Sequence, residues 1–362
     1  MRIGTVKEIK TLEFRVGLTP EGVRELAAQG HSVVVESGAG TGIGLADSAY
    51  QEAGARVVAN AAAVFENSEL IVKVKEPQAS EIALLRPDHT LFTYLHLAAD
   101  PEQTRGLMKS GATCIAYETI TDTRGGLPLL APMSQVAGRM ATLVGAQYLL
   151  KPSGGRGLLM SGVPGVAAAK VGILGAGVSG MHAAEIALGM RADVTMFDIS
   201  AERLAAVDAA FGGAVTGIHS SQKSIQDFLP QADLVIGCVL VTGAAAPKLI
   251  RRGDLKRMKP GAVLVDVAID QGGCFETSRP TTHDYPTFAV DNIIHYCVAN
   301  MPGAAPLTST YALTAVTLPF VQRMAARGVD GALAADPHLA AGLNVKAGKI
   351  THPAVQAVME AA

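Results

Sequence analysis

Neither sign of charge dominates this chain: 30 lysines and arginines face 32 aspartates and glutamates, a formal net charge of −2. That balance gives no electrostatic footing for nucleic acid or an anionic membrane. The densest basic stretch, Arg251 to Lys259, reads as a solvated helix face. Cysteine is scarce as well. Cys114, Cys238, Cys274 and Cys297 stand far apart, without a CxxC pair or the histidine spacing of a zinc site. They read as buried free thiols of a protein kept in a reducing cytoplasm, and no metal is expected. No apolar run is long enough to span a bilayer, because Arg139, Pro164 and Lys170 interrupt the most hydrophobic stretches. The first residues, Met1-Arg2-Ile3-Gly4-Thr5, lack the architecture of a signal peptide and read as the start of a strand. No internal repeat of about 20–50 residues is visible.

What the chain does have is length, alanine and glycine. Its 362 residues suffice for two domains with separate cores. Hydrophobic residues make up 49%, and the apolar surplus, much of it alanine, fits burial between subunits. One glycine cluster is more informative than the rest. Lys170–Leu174 reads as a buried strand, Met181–Met190 as a helix and Asp193–Phe197 as a second strand that ends at Asp198. Between the first two lies Gly175-Ala176-Gly177-Val178-Ser179-Gly180. In such a G-x-G-x-x-G turn, Gly175 lets the chain leave the strand sharply and Gly177 lets backbone approach a pyrophosphate. Gly180 lets the helix pack close to the sheet. The N–H groups at the helix start then face the phosphates. Asp198 stands at the distance of a ribose hydroxyl partner, and its charge repels a 2′-phosphate, which favours NAD over NADP. Arg203, a nearby cation, softens that discrimination.

Around this turn the chain alternates strand and helix. Strands are expected at Arg2–Val6, Ser32–Glu36, Arg56–Val58, Leu70–Val74, Thr90–Tyr94 and Thr113–Ala116, with helices between them from Pro20–Gln29 to Pro101–Ser110. The pattern resumes at Lys170, with further strands near Ala214–Ile218, Asp233–Val239 and Ala262–Val267. This is the signature of two α/β units with parallel sheets covered on both faces. Ser134–Leu150 reads as a bridging helix capped by Ser134, Lys151–Gly157 as a turn, Thr308–Arg327 as a long helix and 337–362 as an amphipathic tail.

In open α/β sheets, ligands bind beyond the carboxyl ends of the strands. Lys75, His96 and Asp270 pass that filter, and Arg15 lies in a polar loop ahead of the first helix. Arginine grips a carboxylate through paired hydrogen bonds, and lysine binds beside it or polarises a developing carbonyl. Histidine titrates near working pH and serves as acid or base. An aspartate holds water or ammonium, or orients a cofactor ribose; Glu118 and Asp266 rank below Asp270 for that task.

At these residues the chain resembles the NAD-dependent L-alanine dehydrogenases, over nearly its whole length. The carriers are Glu13-Phe14-Arg15-Val16, Lys73-Val74-Lys75-Glu76-Pro77, Leu95-His96-Leu97-Ala98, Leu130-Ala131-Pro132-Met133-Ser134, Asp266 to Gly273, and Cys297-Val298-Ala299-Asn300-Met301-Pro302. The resemblance implies reversible oxidative deamination of L-alanine to pyruvate and ammonium with NAD, in the cytoplasm. Arg15 and Lys75 would bind substrate, and His96 and Asp270 would be catalytic. Beyond the glycine turn itself, the cofactor would meet Ser134, Val178, Ser179, Asp198, Arg203, Ser220, Val239, Leu240, Val267, Ala268, Ile269, Asp270, Arg279, Val298, Ala299, Asn300 and Met301.

The resemblance also implies two Rossmann-like doubly wound domains with a cleft between them, and commonly a hexamer. The substrate domain would be discontinuous, 1–130 with 305–362, around an NAD-binding domain at 131–304. Two positions depart from the family: Arg203, often lysine, and Cys238, where alanine is expected. The alternative is the NAD-binding module of a proton-translocating transhydrogenase, expected to carry a partner-docking loop and membrane segments. Saccharopine-type dehydrogenases and a non-catalytic NAD-binding protein are further alternatives.

Overall fold

Val33-Val34-Val35 and Leu70-Ile71-Val72 are unbroken apolar runs, the pattern of strands covered on both faces, and all six side chains are buried. In the computed structural model, which describes residues 1–239 and 246–361, these runs form part of one sheet. Its first six strands are β1 (Arg2–Thr5), β2 (Ser32–Glu36), β3 (Arg56–Val58), β4 (Leu70–Val72), β5 (Thr90–Thr93) and β6 (Thr113–Ala116). They run parallel in the order β3-β2-β1-β4-β5-β6, with Ile3 in register with both Val33 and Leu70.

A second sheet contains β7 (Lys170–Leu174), β8 (Asp193–Asp198), β9 (Val215–His219), β10 (Leu234–Gly237), β11 (Val263–Asp266), β12 (Thr287–Val290) and β13 (Ile293–Tyr296). Its order is β9-β8-β7-β10-β11-β13-β12, parallel throughout except for β12. Each sheet thus repeats one permutation through its first five strands, third, second, first, fourth, fifth; the next place is taken by β6 in the first sheet and by β13 in the second. That is the doubly wound α/β arrangement, and the expected fold class holds for both. The chain divides into two compact units, Met1–Met133 with Gly303–Ala362, and Ser134–Pro302.

Local chemistry accounts for the boundaries. The helix Pro20–Ala28 begins with the Thr19 hydroxyl accepting the Gly22 N–H at 3.4 Å and with proline in its first turn, and it buries Val23 and Leu26. Ser134 is not a cap as expected: the helix runs Ala131–Leu149. Pro132, which has no N–H to leave unpaired, fits its first turn, so the start lies upstream of the serine. Similarly, the helix after the glycine turn starts at Val178 instead of Met181, with Gly177 as its N-cap.

The segment 337–362 departs from the amphipathic tail expected of it. It contains β14 (Leu343–Lys346) and β15 (Lys349–Ile350), which extend the first sheet antiparallel from β6 and bury Val345 opposite Cys114. Their turn, Ala347-Gly348, has φ of 49° and 77°, a two-residue left-handed hairpin turn. The β12–β13 hairpin turns the same way through Asp291 and Asn292, with φ of 50° and 62°. All four cysteines are free and buried. No described helix is long and apolar enough to cross a membrane.

Candidate active site

Strands β1, β4, β5 and β6 are consecutive neighbours, and each delivers a polar residue at its carboxyl end. After β1 the chain passes through Glu8 and Glu13 to Arg15, whose loop is tied down where the Val16 N–H donates to the Thr310 hydroxyl at 3.4 Å. After β4 come Lys73 and Lys75. Tyr94 and His96 follow β5, and Glu118 follows β6. The strands stop at Val72 and Thr93, two residues and one residue short of the expected ends. Beyond the strands the Lys73 N–H still bonds to the Phe92 carbonyl at 3.1 Å and the Tyr94 N–H to the Val74 carbonyl at 3.3 Å.

Arg15 is only 2% exposed. Its guanidinium grips Glu13 through Nε at 2.7 Å and Nη2 at 2.5 Å, and Nη1 reaches the Met133 sulfur at 3.1 Å. Burial weakens the Arg15 cation, but Glu13 more than offsets it, so the group stays charged. Lys75 is buried with its Nζ 3.4 Å from Glu76. Burial pushes the Glu76 carboxyl up, yet Lys75 and Lys10 together hold it at about 2, so this partner is ionised at any working pH. His96, by contrast, is well exposed, in a left-handed turn with φ of 51°. A cavity of about 200 Å³ opens beside Arg15, walled by Lys7, Glu8, Glu13 and the loop through Gly38 and Gly42. A larger one, about 780 Å³, lies near the amino ends of β5 and β6, and none of the candidate residues lines it.

Several residues here escaped the sequence reading. Lys73 is wholly buried between Glu8 and Glu81, at 3.0 and 2.6 Å. Glu8 also accepts the Val74 N–H at 2.7 Å and the Lys75 N–H at 3.4 Å, so this ion cluster holds the backbone that carries Lys75. Tyr94 stacks on the His96 ring, centroids 5.8 Å apart and planes 4° from parallel, while its hydroxyl donates to the Leu129 carbonyl at 2.6 Å. Burial raises the Tyr94 phenol well above its ordinary range, and the charges of Arg15 and Glu118 both reach it. The signal for Tyr94 was available, since it leaves β5 two residues before His96.

In the second unit the glycine turn is packed to its limit on one side and open on the other. A Cβ on Gly180 would sit 1.9 Å from the Gly175 carbonyl oxygen, whereas one on Gly177 would meet nothing within 4 Å. Gly138 and Thr142 brace the same helix from behind: a Cβ on Gly138 would lie 2.1 Å from the Ser179 oxygen, and the Thr142 hydroxyl donates to the Ala183 carbonyl at 2.8 Å. Asp198 is buried at the end of β8 and accepts the Ala176 N–H at 2.7 Å and the Ser200 N–H at 2.8 Å. A carboxylate offers about four acceptor positions, so capacity for ribose hydroxyls remains. Arg203 stands 3.7 Å from Asp198 with a mostly exposed side chain. The open face at Gly177, the uncapped helix start at Val178 and Asp198 together fit an adenine dinucleotide.

The remaining candidates of this unit follow other strand ends. The Ser220 N–H extends the ladder to the Asp198 carbonyl at 2.9 Å. Val239 follows β10; Leu240 lies outside the described residues. Val267 to Asp270 form a single helical turn after β11, with Ala268 and Ile269 buried and Asp270 exposed. Asp266 is instead fully buried and closes a turn, accepting the Cys274 N–H at 2.9 Å and the Ser278 hydroxyl at 2.5 Å. After β13 the Ala299 N–H bonds to Thr281 at 3.1 Å, Asn300 takes a φ of 62°, and Val298 and Met301 are buried. The Arg279 guanidinium lies over the Phe288 ring, 4.4 Å from its centre. Ser134 sits inside the helix Ala131–Leu149, half-buried. Arg15, Lys75 and His96 therefore belong to one unit, and Asp270 with the dinucleotide candidates to the other.

Residues 4–137 match the family model described as Alanine dehydrogenase/PNT, N-terminal domain, and residues 141–353 match the corresponding C-terminal domain. An alanine dehydrogenase of Halomonas elongata is 58% identical over 355 residues, 98% of this chain and 96% of the relative. Among solved structures, an L-alanine dehydrogenase superposes with a TM-score of 0.96 at 50% identity, covering 100% of this chain and 99% of its own. A transhydrogenase from Sinorhizobium meliloti superposes at 0.82 with 26% identity, over 98% of this chain and 100% of its own.

Proposed function

This chain belongs to the alanine dehydrogenase/PNT family, and from that premise we propose that it catalyses the reversible, NAD-dependent oxidative deamination of L-alanine to pyruvate and ammonium. The observation that carries this reading is the row of strand ends in the first unit. It sets a buried arginine, a buried lysine and an exposed histidine on neighbouring strands, in a chain 58% identical to an alanine dehydrogenase. Arg15 and Lys75 hold the substrate carboxylate through charged hydrogen bonds. NAD, held by the glycine turn and Asp198, would supply the acceptor for the α-hydrogen and its electron pair. His96 accepts the amine proton as the C=N bond forms, and then handles the protons of the water that adds to the imine and of the departing ammonium. Asp270 orients that water. The first unit serves as the substrate domain, and the second holds the dinucleotide through Gly175, Gly177, Gly180 and Asp198. The remaining cofactor contacts are Ser134, Val178, Ser179, Arg203, Ser220, Val239, Leu240, Val267 to Ile269, Arg279 and Val298 to Met301. A homohexamer in the cytoplasm completes the proposal.

The test is NADH formation with a panel of L-amino acids, run in parallel with NADP. Turnover of alanine with NAD is the expected result. Hydride exchange between nucleotides without any amino-acid turnover would place the chain with the transhydrogenases instead. Arg15→Ala should raise the half-saturation value for alanine about 10–100-fold, the worth of a charged hydrogen-bond pair. His96→Ala should cost about 10²–10⁴ in kcat, and near wild-type turnover would remove His96 from the mechanism.

A further inference from the structure

We propose that Glu118 is the positioning residue that presents the His96 imidazole to the substrate; the inference rests on the reading of the site given above. Glu118 leaves β6, the neighbour of β5, in the single turn Tyr117–Thr119, with a side chain only 14% exposed. It ranked below Asp270 as an acid in the sequence, and its geometry gives it a different task. Its Oε1 accepts the His96 N–H at 2.6 Å, and both of its oxygens lie within reach of the Leu95 N–H, at 3.2 and 3.3 Å. Those two amides belong to the turn in which His96 adopts φ of 51° and ψ of 38°, a left-handed conformation that residues with a Cβ seldom enter. A conformation of that kind persists only where its surroundings over-determine it.

The same oxygen lies 3.9 Å from His96 Nδ1. Tyr94 fixes the plane of the ring by stacking on it, and Tyr94 is itself anchored through its hydroxyl to Leu129. An exposed imidazole is thus held at its backbone and across its face, with Nδ1 on the side of Glu118. Nδ1 is turned toward protein, which leaves Nε2, on the far side of the ring, as the atom offered to substrate. Glu118 does not touch substrate in this arrangement; it acts through His96.

Glu118→Ala and Glu118→Gln, made in the full-length protein, separate this role from the alternatives. The alanine variant should lose about 10²-fold in kcat, the cost of misplacing a reacting group by about 1 Å. Its KM for alanine should stay within about 3-fold, because Arg15 and Lys75 lie in the segments that follow other strands, β1 and β4. The glutamine variant keeps an oxygen acceptor for the two amides and should return to within about 10-fold of wild-type kcat. Amide hydrogen exchange supplies a readout that needs no turnover: a peptide spanning residues 93–98 should exchange at least about 10-fold faster in Glu118→Ala, and at the wild-type rate in Glu118→Gln. If the alanine variant does not fold, Glu118→Asp, which withdraws the acceptor by one methylene, takes its place with the same expectations. A KM that rises in step with the loss of kcat, a glutamine variant no better than alanine, or unchanged exchange at 93–98 would each overturn the proposal. Should the wild-type protein fail to oxidise alanine, the substrate assignment falls while the exchange experiment still decides the role of Glu118.

Discussion

Replacing Lys73 by methionine would strip the cation from a buried pocket that holds two carboxylates. Lys73 has no exposed surface, and its ammonium lies 3.0 Å from Glu8 and 2.6 Å from Glu81. Burial is the largest influence on Glu8 and pushes its carboxyl above the ordinary range, with Lys73 pulling it back down. For Lys73 burial works against the charge, but the two carboxylates prevail and keep its ammonium above the ordinary range. Methionine conserves most of the volume, so the effect is electrostatic. Breaking a buried ion pair from one side costs about 3–5 kcal/mol, which for a unit of this size lowers the melting temperature by on the order of 10 °C. The sign of the pH dependence follows from Glu8. With Lys73 gone its folded carboxyl rises further above the ordinary 4.5, so the folded variant keeps a proton that the unfolded chain releases. Stability contributed by that proton is complete below 4.5 and is lost as pH climbs, by up to about 1.4 kcal/mol per unit. The deficit against wild type should therefore be largest near pH 8 and smallest near pH 5, and adding Glu81→Gln should restore part of it. Thermal or urea denaturation at both pH values measures it. A loss under about 1 kcal/mol at pH 8, or one of equal size at pH 5, would refute the reasoning.

The glycine turn yields a paired prediction. Gly180→Ala places a Cβ 1.9 Å from the Gly175 carbonyl, which is backbone and cannot yield cheaply, so both melting temperature and NADH affinity should fall; retention of both would show that the turn relaxes. Gly177→Ala meets nothing within 4 Å of the protein itself and should leave the melting temperature unchanged while weakening NADH binding about 10-fold or more, measured by fluorescence titration. Asp198→Ala removes both the acceptor for the Ala176 N–H and the charge that repels a 2′-phosphate, so the ratio of NAD to NADP turnover should fall by at least about 10-fold. An unchanged ratio would assign Asp198 to the turn alone.

The strands legible in the sequence are the ones whose pattern is local. Val33-Val34-Val35 and Leu70-Ile71-Val72 announce buried parallel strands by composition, and Thr19-Pro20 announces a helix start by its own chemistry. The strands that escaped are those that depend on a turn or a distant partner. Asp291-Asn292 and Ala347-Gly348 both take left-handed φ at two successive positions. Neither pair contains the Asn-Gly or Asp-Gly signal by which such hairpins are usually read. β14 is four residues long, and its place is set by β6, more than two hundred residues earlier in the chain. Ser134 misled for a different reason: a good capping residue lay inside a helix whose first turn was already specified by Pro132.

The proposed site divides in the same way. Lys75, His96 and Asp270 could be picked out because the strand-end rule is a property of each strand by itself, and Arg15 because its loop precedes a clear helix start. Their pairings could not, because Glu8 and Lys73 are 65 positions apart and Leu95 and Glu118 are 23, so that Glu118 could be named as an acid but not as the partner of the His96 turn. Read singly, each of those acids is an ordinary surface carboxylate. Glu13 is the exception: two residues before Arg15, it lay within sight. The structure also changes what the cations mean. Arg15 is matched by Glu13, Lys75 by Glu76, and Lys73 by Glu8 and Glu81. A buried cation in this unit is therefore no mark of an anion site by itself, since each is already compensated. In the proposed site, recognition of a substrate carboxylate would then rest on where the guanidinium and ammonium N–H bonds point; Glu13 holds the Arg15 guanidinium, and the Glu8–Lys73–Glu81 cluster holds the backbone that carries Lys75. His96 is the group of this row left well exposed, and it is held in place by a carboxylate and a tyrosine. Orientation set by buried acids, with one exposed base, is the common design of the row of strand ends.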